Sequence, residues 1–362
     1  MRAAHEPQGI GFRAALKEEW PARMGASSMN NGLVGMGLVL CAAVSVAQPV
    51  ARDPEAARLT ARSTRNACAD VRPFYWEMGD AGGKVVGDSV GLLAPGAGSV
   101  MNIASASKWL YGAYVLEVRG GAPRLADIPF LNFTSTTPLL EPAEESDCKA
   151  LLTTVHGCNL TRNITGPLVD YAPASPPRFV YQPGHLEAHA DYAMNLGASG
   201  TLALASALES RLPLDLSYGN VNLAGGAKTS ATEYARFLRG LMSGGLKLGA
   251  FLGTASVCAS PACGDVGYSP WFSNEPVRYS LAHWVEQDQG PAHSGGFSSA
   301  GLFGFYPWVS KDKSTYLIVA REDMLGVVGQ TATTPAEQTP SGKSILCGRL
   351  IREAYFTGRV QD

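Results

Sequence analysis

The sequence has 362 residues, 46% hydrophobic and 17% charged, which is ample apolar material for one large domain or two closely packed ones. Its formal net charge is −2 at pH 7 and it contains no basic run. No long-range positive field is therefore present to hold a polyanion, and nucleic acid is excluded as an expected partner.

Near the N-terminus an apolar stretch runs from Leu33 to Ala47, preceded by Arg2, Arg13, Lys17 and Arg23 and closed by the small residues Ser45-Val46-Ala47. It is short for a bilayer span and ends where a signal peptidase cuts, so residues 1–47 read as a removed signal peptide. Cys41 follows the large Leu40, which argues against a lipid anchor. The expected location is secreted or periplasmic, with no stable membrane span after cleavage. Six cysteines remain: Cys68, Cys148, Cys158, Cys258, Cys263 and Cys347. An even number in an exported chain favours disulfides. Short loops favour Cys148 with Cys158 and Cys258 with Cys263, leaving Cys68 with Cys347. The absence of any CxxC pair makes structural zinc a poor competitor.

From Cys68 onward, "CADVRPFYWEMGDAGGKVVGDSVGLLAPG" reads as a hairpin about a Gly-rich turn. "SASKWLYGAYVLEVR" follows, apolar on nearly every face and suited to a helix buried all round. Residues 119–265 alternate helical patches ("DCKALLTTV", "YAMNLGASGTLALASALES", "SATEYARFLRGLMSGG") with Pro-, Gly- and Asn-rich loops. Three strands are then expected in "RYSLAHWVEQ", "AHSGGFSSAGLFGFYPWV" and "STYLIVARED", and a final helix in "SILCGRLIREAYFTGR". The pattern predicts an α+β domain over 68–362. Its antiparallel sheet, flanked by helices, is built from the N- and C-terminal segments (68–118 and 266–362), and 119–265 is an inserted, mainly helical region. Asn132, Asn159 and Asn163 each begin an Asn-x-Thr triplet that a glycosylating host could use.

Ser105-Ala106-Ser107-Lys108 opens the buried helix. Residues three apart share a helix face, so the lysine amine can reach the serine hydroxyl. Burial and the helix N-terminus both favour a neutral amine and a developing alkoxide. Two further Ser-x-x-Lys matches, Ser146 to Lys149 and Ser310 to Lys313, are expected to lie in less apolar or solvated surroundings. His293-Ser294-Gly295-Gly296 begins a strand-like run whose glycines would let a substrate lie along the strand edge. The backbone N–H groups of Ser105 and Gly296 could then form an oxyanion hole.

"IASASKWL", "ALLTTVHGC", "FVY", "NLAGGAKTSATEYARFL" and "HSGGFSSAGLFGFYP", in this order, resemble the serial landmarks of the serine β-lactamase and penicillin-binding-protein superfamily in its class C-like branch. That branch includes D-alanyl-D-alanine carboxypeptidases and esterases. The resemblance spans roughly residues 68 to 355. It implies an acyl-enzyme on Ser105 with Lys108 as its proton partner, Tyr181 as general base or acid, and no cofactor. The family's middle motif is Tyr-x-Asn. Here it is Tyr181-Gln182-Pro183, and a proline supplies no side-chain amide to orient the lysine or bind a substrate carbonyl. His189 and Tyr192 are secondary candidates in another register. The third motif, often Lys-Thr-Gly, is His293-Ser294-Gly295. A histidine is only partly charged at pH 7, so it grips a carboxylate less firmly than lysine does.

The expected partner is a small-molecule, peptide or ester substrate, with Trp271 and Phe272 as candidate cleft residues. A metal reading of His185 and His189 fails because Glu187 sits about 200° round the helix from His185. The competing functional class is a catalytically impaired protein of the same fold with a binding role, favoured by the altered middle motif.

Overall fold

The computed structural model describes residues 52–135, 148, 153–164, 178–287 and 295–362, all within one compact unit, Pro49–Asp362. The signal-peptide reading of 1–47, the Ser146–Lys149 pair, His293 and Ser294 lie outside the described residues. In chain order the elements are α1 (Pro54–Arg62), β1 (Phe74–Asp80), β2 (Gly83–Val90), β3 (Met101–Asn102), α2 (Ser107–Val118), α3 (Ile128–Leu131) and α4 (Val155–Ile164). Next come β4 (Phe179–Val180), α5 (Gly184–Ala193), α6 (Thr201–Glu209), β5 (Ser217–Tyr218), β6 (Ala227–Thr229) and α7 (Ala231–Ser243). The C-terminal part holds β7 (Val257–Cys258), β8 (Val266–Tyr268), β9 (Val277–Ser280), β10 (His283–Glu286), β11 (Gly296–Ser298), β12 (Tyr306–Ser310), β13 (Tyr316–Ala320) and α8 (Pro340–Thr357).

One eight-stranded antiparallel sheet runs in the order β2-β1-β13-β12-β11-β10-β9-β7, so the C-terminal strand β13 lies beside the N-terminal β1. Its central strands are covered on both faces, which is why "FYWEMG" and "YLIVA" read as unbroken apolar runs rather than alternating ones. Leu317 and Tyr306 face α8, where a Cβ on Gly348 would come within 2.9 and 2.7 Å of them, so only glycine allows this approach. Tyr316, one residue away and hence on the opposite face, meets Arg239 of α7. The packed structure begins upstream of Cys68, because α1, capped by Asp53 and opened by Pro54, is pinned to α8 through Asp53 N–H to Tyr355 O at 2.7 Å.

Two segments read as single strands are in fact paired. "RYSLAHWVEQ" folds as the β9–β10 hairpin, with Leu281 and Ala282 at φ 41° and 68° in its two-residue turn. No glycine signals that turn. It is held instead by the buried Asn132, whose Oδ1 accepts from Leu281 N–H at 2.7 Å, and by Ala282 N–H to Leu131 O at 2.8 Å. "HSGGFSSAGLFGFYPWV" likewise divides into β11 and β12. Short strands β4 to β7 also occur in the region read as mainly helical. Asn132 and Asn159 are 1% and 3% exposed and their side chains bond Ala255 O and Asp191, so these two triplets are structural.

α2 is anchored at its far end by a buried polar chain. Arg119 donates twice to Asp127 at 2.8 and 2.9 Å, His189 Nε2 donates to Asp127 at 2.9 Å, and Tyr111 Oη donates to His189 Nδ1 at 2.8 Å. Burial lowers the His189 pKa and keeps the ring neutral. Burial alone would raise the Asp127 carboxyl, but the bonds from Arg119 and His189 outweigh it and pull it down to about 2. The three expected disulfides are all present, Cys68–Cys347, Cys148–Cys158 and Cys258–Cys263.

Two outcomes follow from these anchors. Replacing Cys68 and Cys347 by serine opens a link spanning 279 residues and is expected to cost roughly 3–5 kcal/mol in urea unfolding. Asp127→Asn is expected to cost about 3–5 kcal/mol at pH 7 by leaving Arg119 unpaired. Because the folded carboxyl is depressed, its contribution is complete above the ordinary carboxylate pKa of about 4. The gap from wild type should therefore shrink as pH falls from about 4 towards 2. Urea titrations across that range would show a constant gap if Asp127 were not the ionised partner.

Candidate active site

Ser105 lies in the single 3-10 turn Ala104–Ala106 that leads into α2. Ala104 has φ +44°, a conformation that costs a residue with a Cβ about 1–2 kcal/mol. Its surroundings hold it there. Ile103 N–H donates to Ala227 O at 3.2 Å, and Ser107 Oγ donates to Ala104 O at 2.6 Å while accepting from Ala227 N–H at 3.2 Å. Tyr234 Oη donates to Ala106 O at 2.9 Å, and Ser299 Oγ donates to Ser105 O at 2.9 Å. Strand β6, helix α7 and the end of β11 thus all fix the turn that presents Ser105. Helix α2 is seated behind it because Gly112 carries no Cβ, which would come 2.5 Å from Leu281 O in the β9–β10 turn.

Lys108, 4% exposed, donates from Nζ to Ser105 Oγ at 2.8 Å and to Ala224 O at 2.7 Å. Its ammonium sits 4.7 Å from the ring centroid of Tyr181. Tyr181 occupies an aromatic box with Phe133, Phe179, Tyr279 and Trp284 at centroid distances of 5.3, 6.3, 5.9 and 5.0 Å. Burial pushes its phenol well above the ordinary value, and hydrogen bonding with Ser105 and Trp284 opposes that rise only in part. The three residues Ser105, Lys108 and Tyr181 are brought together, from one helix start and one loop some seventy residues later.

The secondary candidates stand elsewhere. His189 is fully buried in the Arg119–Asp127 chain, and Tyr192 is 61% exposed. His185 is engaged through both ring nitrogens, with Ser135 Oγ and with Val180 O at 3.1 Å. Gly295 is buried just before β11. Gly296 pairs with Glu286 and Ser310, and a Cβ there would lie 2.4 Å from Val309 O, so sheet packing by itself demands this glycine. Ser299, three positions on, bonds the turn that carries Ser105.

One expectation is corrected. The Ser310–Lys313 pair is not a solvated decoy: Ser310 is 2% exposed, its hydroxyl bonds Asp312, and Lys313 Nζ bonds Gly249 O at 3.1 Å instead. Trp271 and Phe272, the candidate cleft residues, are 6% and 5% exposed beneath the Arg349 guanidinium, which Glu275 holds in a bidentate pair. Ala224 and Ser299 were missed as site residues, although both fall inside the recognised segments "NLAGGAKT" and "FSSAG". They act through backbone or through one hydroxyl, which no side-chain pattern flags.

No protein-family model and no curated protein matches the sequence. Solved structures do. A D-stereospecific amidohydrolase from Streptomyces sp. superposes with TM-score 0.52 at 15% identity, covering 84% of this chain and 99% of that one. A D-amino acid amidase from Ochrobactrum anthropi gives 0.54 at 11% identity (78% and 92% covered). A penicillin-binding protein from Bacillus halodurans gives 0.50 at 13% (71% and 93% covered). With its antiparallel sheet closed by the C-terminal strand and a Ser-x-x-Lys pair at the head of a buried helix, the chain has the fold of the serine β-lactamase and penicillin-binding-protein-like superfamily.

Proposed function

We propose that the protein is an exported serine hydrolase that works through an acyl-enzyme on Ser105 and cleaves a peptide or ester bond, in the manner of carboxypeptidases or esterases. The observation that carries this reading is the buried Lys108 amine at 2.8 Å from Ser105 Oγ. In its neutral form that amine takes the hydroxyl proton as Oγ attacks the substrate carbonyl. The tetrahedral intermediate collapses, the bond to the leaving group breaks, and the leaving group receives a proton through Lys108 and the Tyr181 hydroxyl. Water then attacks the ester, returns a proton to the same pair, and releases Ser105. Tyr181 serves as a protonated relay rather than as a tyrosinate base, because burial holds its phenol above the ordinary range. Charge on the tetrahedral oxygen is met by the Ser105 N–H and by a backbone N–H of the Gly295–Gly296 strand segment.

Three disulfides support an oxidising destination, in line with the signal-like segment 1–47. The similar structures named for amide hydrolysis make D-amino-acid amides useful first substrates beside esters and penicillin. A second reading, a binding protein of this fold with impaired chemistry, is favoured by Pro183, which stands at the N-cap of α5 where it offers no side-chain donor.

Labelling separates the two. The mature protein incubated with a fluorophosphonate or a fluorescent penicillin is expected to gain the mass of one adduct, and Ser105→Ala to gain none. Lys108→Ala should label at least about 10²-fold more slowly. A wild-type protein inert to both probes would leave the binding reading standing. Tyr181→Phe is expected to slow labelling by about 10²-fold without changing the shape of the pH–rate curve below pH ~10, since the phenol stays protonated there. An alkaline limb that disappears in Tyr181→Phe would make the tyrosine the base after all.

A further inference from the structure

The lysine of a Ser-x-x-Lys pair needs an acceptor that fixes its amine towards the serine, and here the second motif places Pro183 where an amide would stand. A backbone oxygen, Ala224 O, accepts from Lys108 Nζ at 2.7 Å. A backbone oxygen is only as well aimed as its peptide. The loop carrying it is turned by Gly225 N–H and Gly226 N–H to Asn222 O at 3.2 and 2.7 Å, and by Asn222 N–H to Asn220 Oδ1 at 3.0 Å. The first of these bonds holds the peptide that carries Ala224 O, because that carbonyl and the Gly225 N–H belong to one peptide unit. The peptide on the other side of the Ala224 Cα is held by Glu187, to whose Oε1 the Ala224 N–H donates at 3.3 Å.

Glu187 lies one helical turn after Pro183 and so on the same side of α5. It is fully buried, and enclosing a carboxylate costs several kcal/mol unless it is bonded, so a core position would ordinarily take an apolar side chain. Its surroundings suit an acceptor. The hydroxyls of Tyr111 and Tyr218 lose acidity first through burial and next through the Glu187 charge, which keeps both protonated.

We propose that Glu187 is a positioning residue for the Ser105–Lys108 pair: by holding the Ala224 N–H it fixes the peptide before Ala224, and together with the Asn222 turn that holds the peptide after it, it aims the Ala224 carbonyl at Lys108 Nζ, giving through the backbone the orientation that Pro183 cannot give. The chain of contact is continuous, from carboxylate to N–H, across Ala224 to its carbonyl, and on to the ammonium and the serine hydroxyl. The role is that of an acceptor with the right reach, so glutamine can fill it, whereas the shorter aspartate and the non-accepting methionine cannot.

The inference rests on the hydrolase reading only for its kinetic measurement, and crystal structures of the variants measure the positioning without turnover. With Glu187→Gln, the fluorophosphonate labelling rate is expected within about threefold of wild type. With Glu187→Met and Glu187→Asp it should fall about 10- to 100-fold, the size expected for a displacement near 1 Å, with saturation by the probe unchanged. Aspartate keeps the charge, so it reports on reach even if the methionine variant does not fold. Crystals of the Met or Asp variant should show the Lys108 Nζ to Ala224 O distance lengthened beyond hydrogen bonding, and those of the Gln variant should show it kept. Labelling of the Asp and Gln variants at equal rates, or an unmoved lysine in the crystals, would overturn the proposal. A wild-type protein that labels with no probe would count against the hydrolase reading alone, because the crystallographic comparison would still decide the role of Glu187.

Discussion

The arrangement depends on one buried amine, Lys108 Nζ, and on what is done to keep it where it is. An amine 4% exposed cannot rely on water for its hydrogen bonds, so its partners must be protein atoms fixed beforehand. Ser105 Oγ and Ala224 O provide two of them, and the face of Tyr181 provides a third, weaker attraction. Each partner belongs to a different part of the chain, so the position of one amine draws together α2, the loop before β6 and the loop after β4.

The rest of the molecule serves that meeting point. The left-handed Ala104 is tolerable because β6, α7 and the end of β11 bond its neighbours on all sides, and the local cost is met by tertiary contacts. The far end of α2 is tied by Arg119, Asp127 and His189, so the helix cannot slide along the sheet. The aromatic box has a double effect. It fixes the Tyr181 ring, and burial raises the phenol's proton affinity, which keeps that hydroxyl protonated rather than an anion.

Much of the fold was legible because it follows from local pattern. The β1–β2 turn carries its glycines, α2 is apolar on all faces, and β13 is a short β-branched run. The serine–lysine pair was legible for the same reason, since i and i+3 on a helix are neighbours whatever the tertiary structure. The β9–β10 turn was not, because Leu281 and Ala282 are poor turn residues whose conformation is imposed by Asn132, nearly 150 positions away in sequence. The burial of Trp271 and Phe272 was hidden in the same way, since it needs Arg349 from α8 stacked over them. The glycines of "HSGG" suggested an oxyanion site. In the structure Gly296 answers to the close approach of β12, so a glycine there has a packing cause of its own.

By itself the sequence determined which residues can do chemistry: a serine and a lysine at helical spacing, a tyrosine in a short apolar stretch, and an even set of cysteines whose short loops pointed to their pairing. Those are consequences of covalent spacing and side-chain type, which a chain carries before it folds. Only the tertiary structure decided which groups complete the site. Ala224 O is placed against Lys108, Ser299 Oγ against Ser105 O, and Glu187 against the Ala224 N–H, each from a distant segment, and these contacts come from backbone direction and burial. Neither property is a feature of residue type, and both exist only once the sheet and helices have closed around the amine.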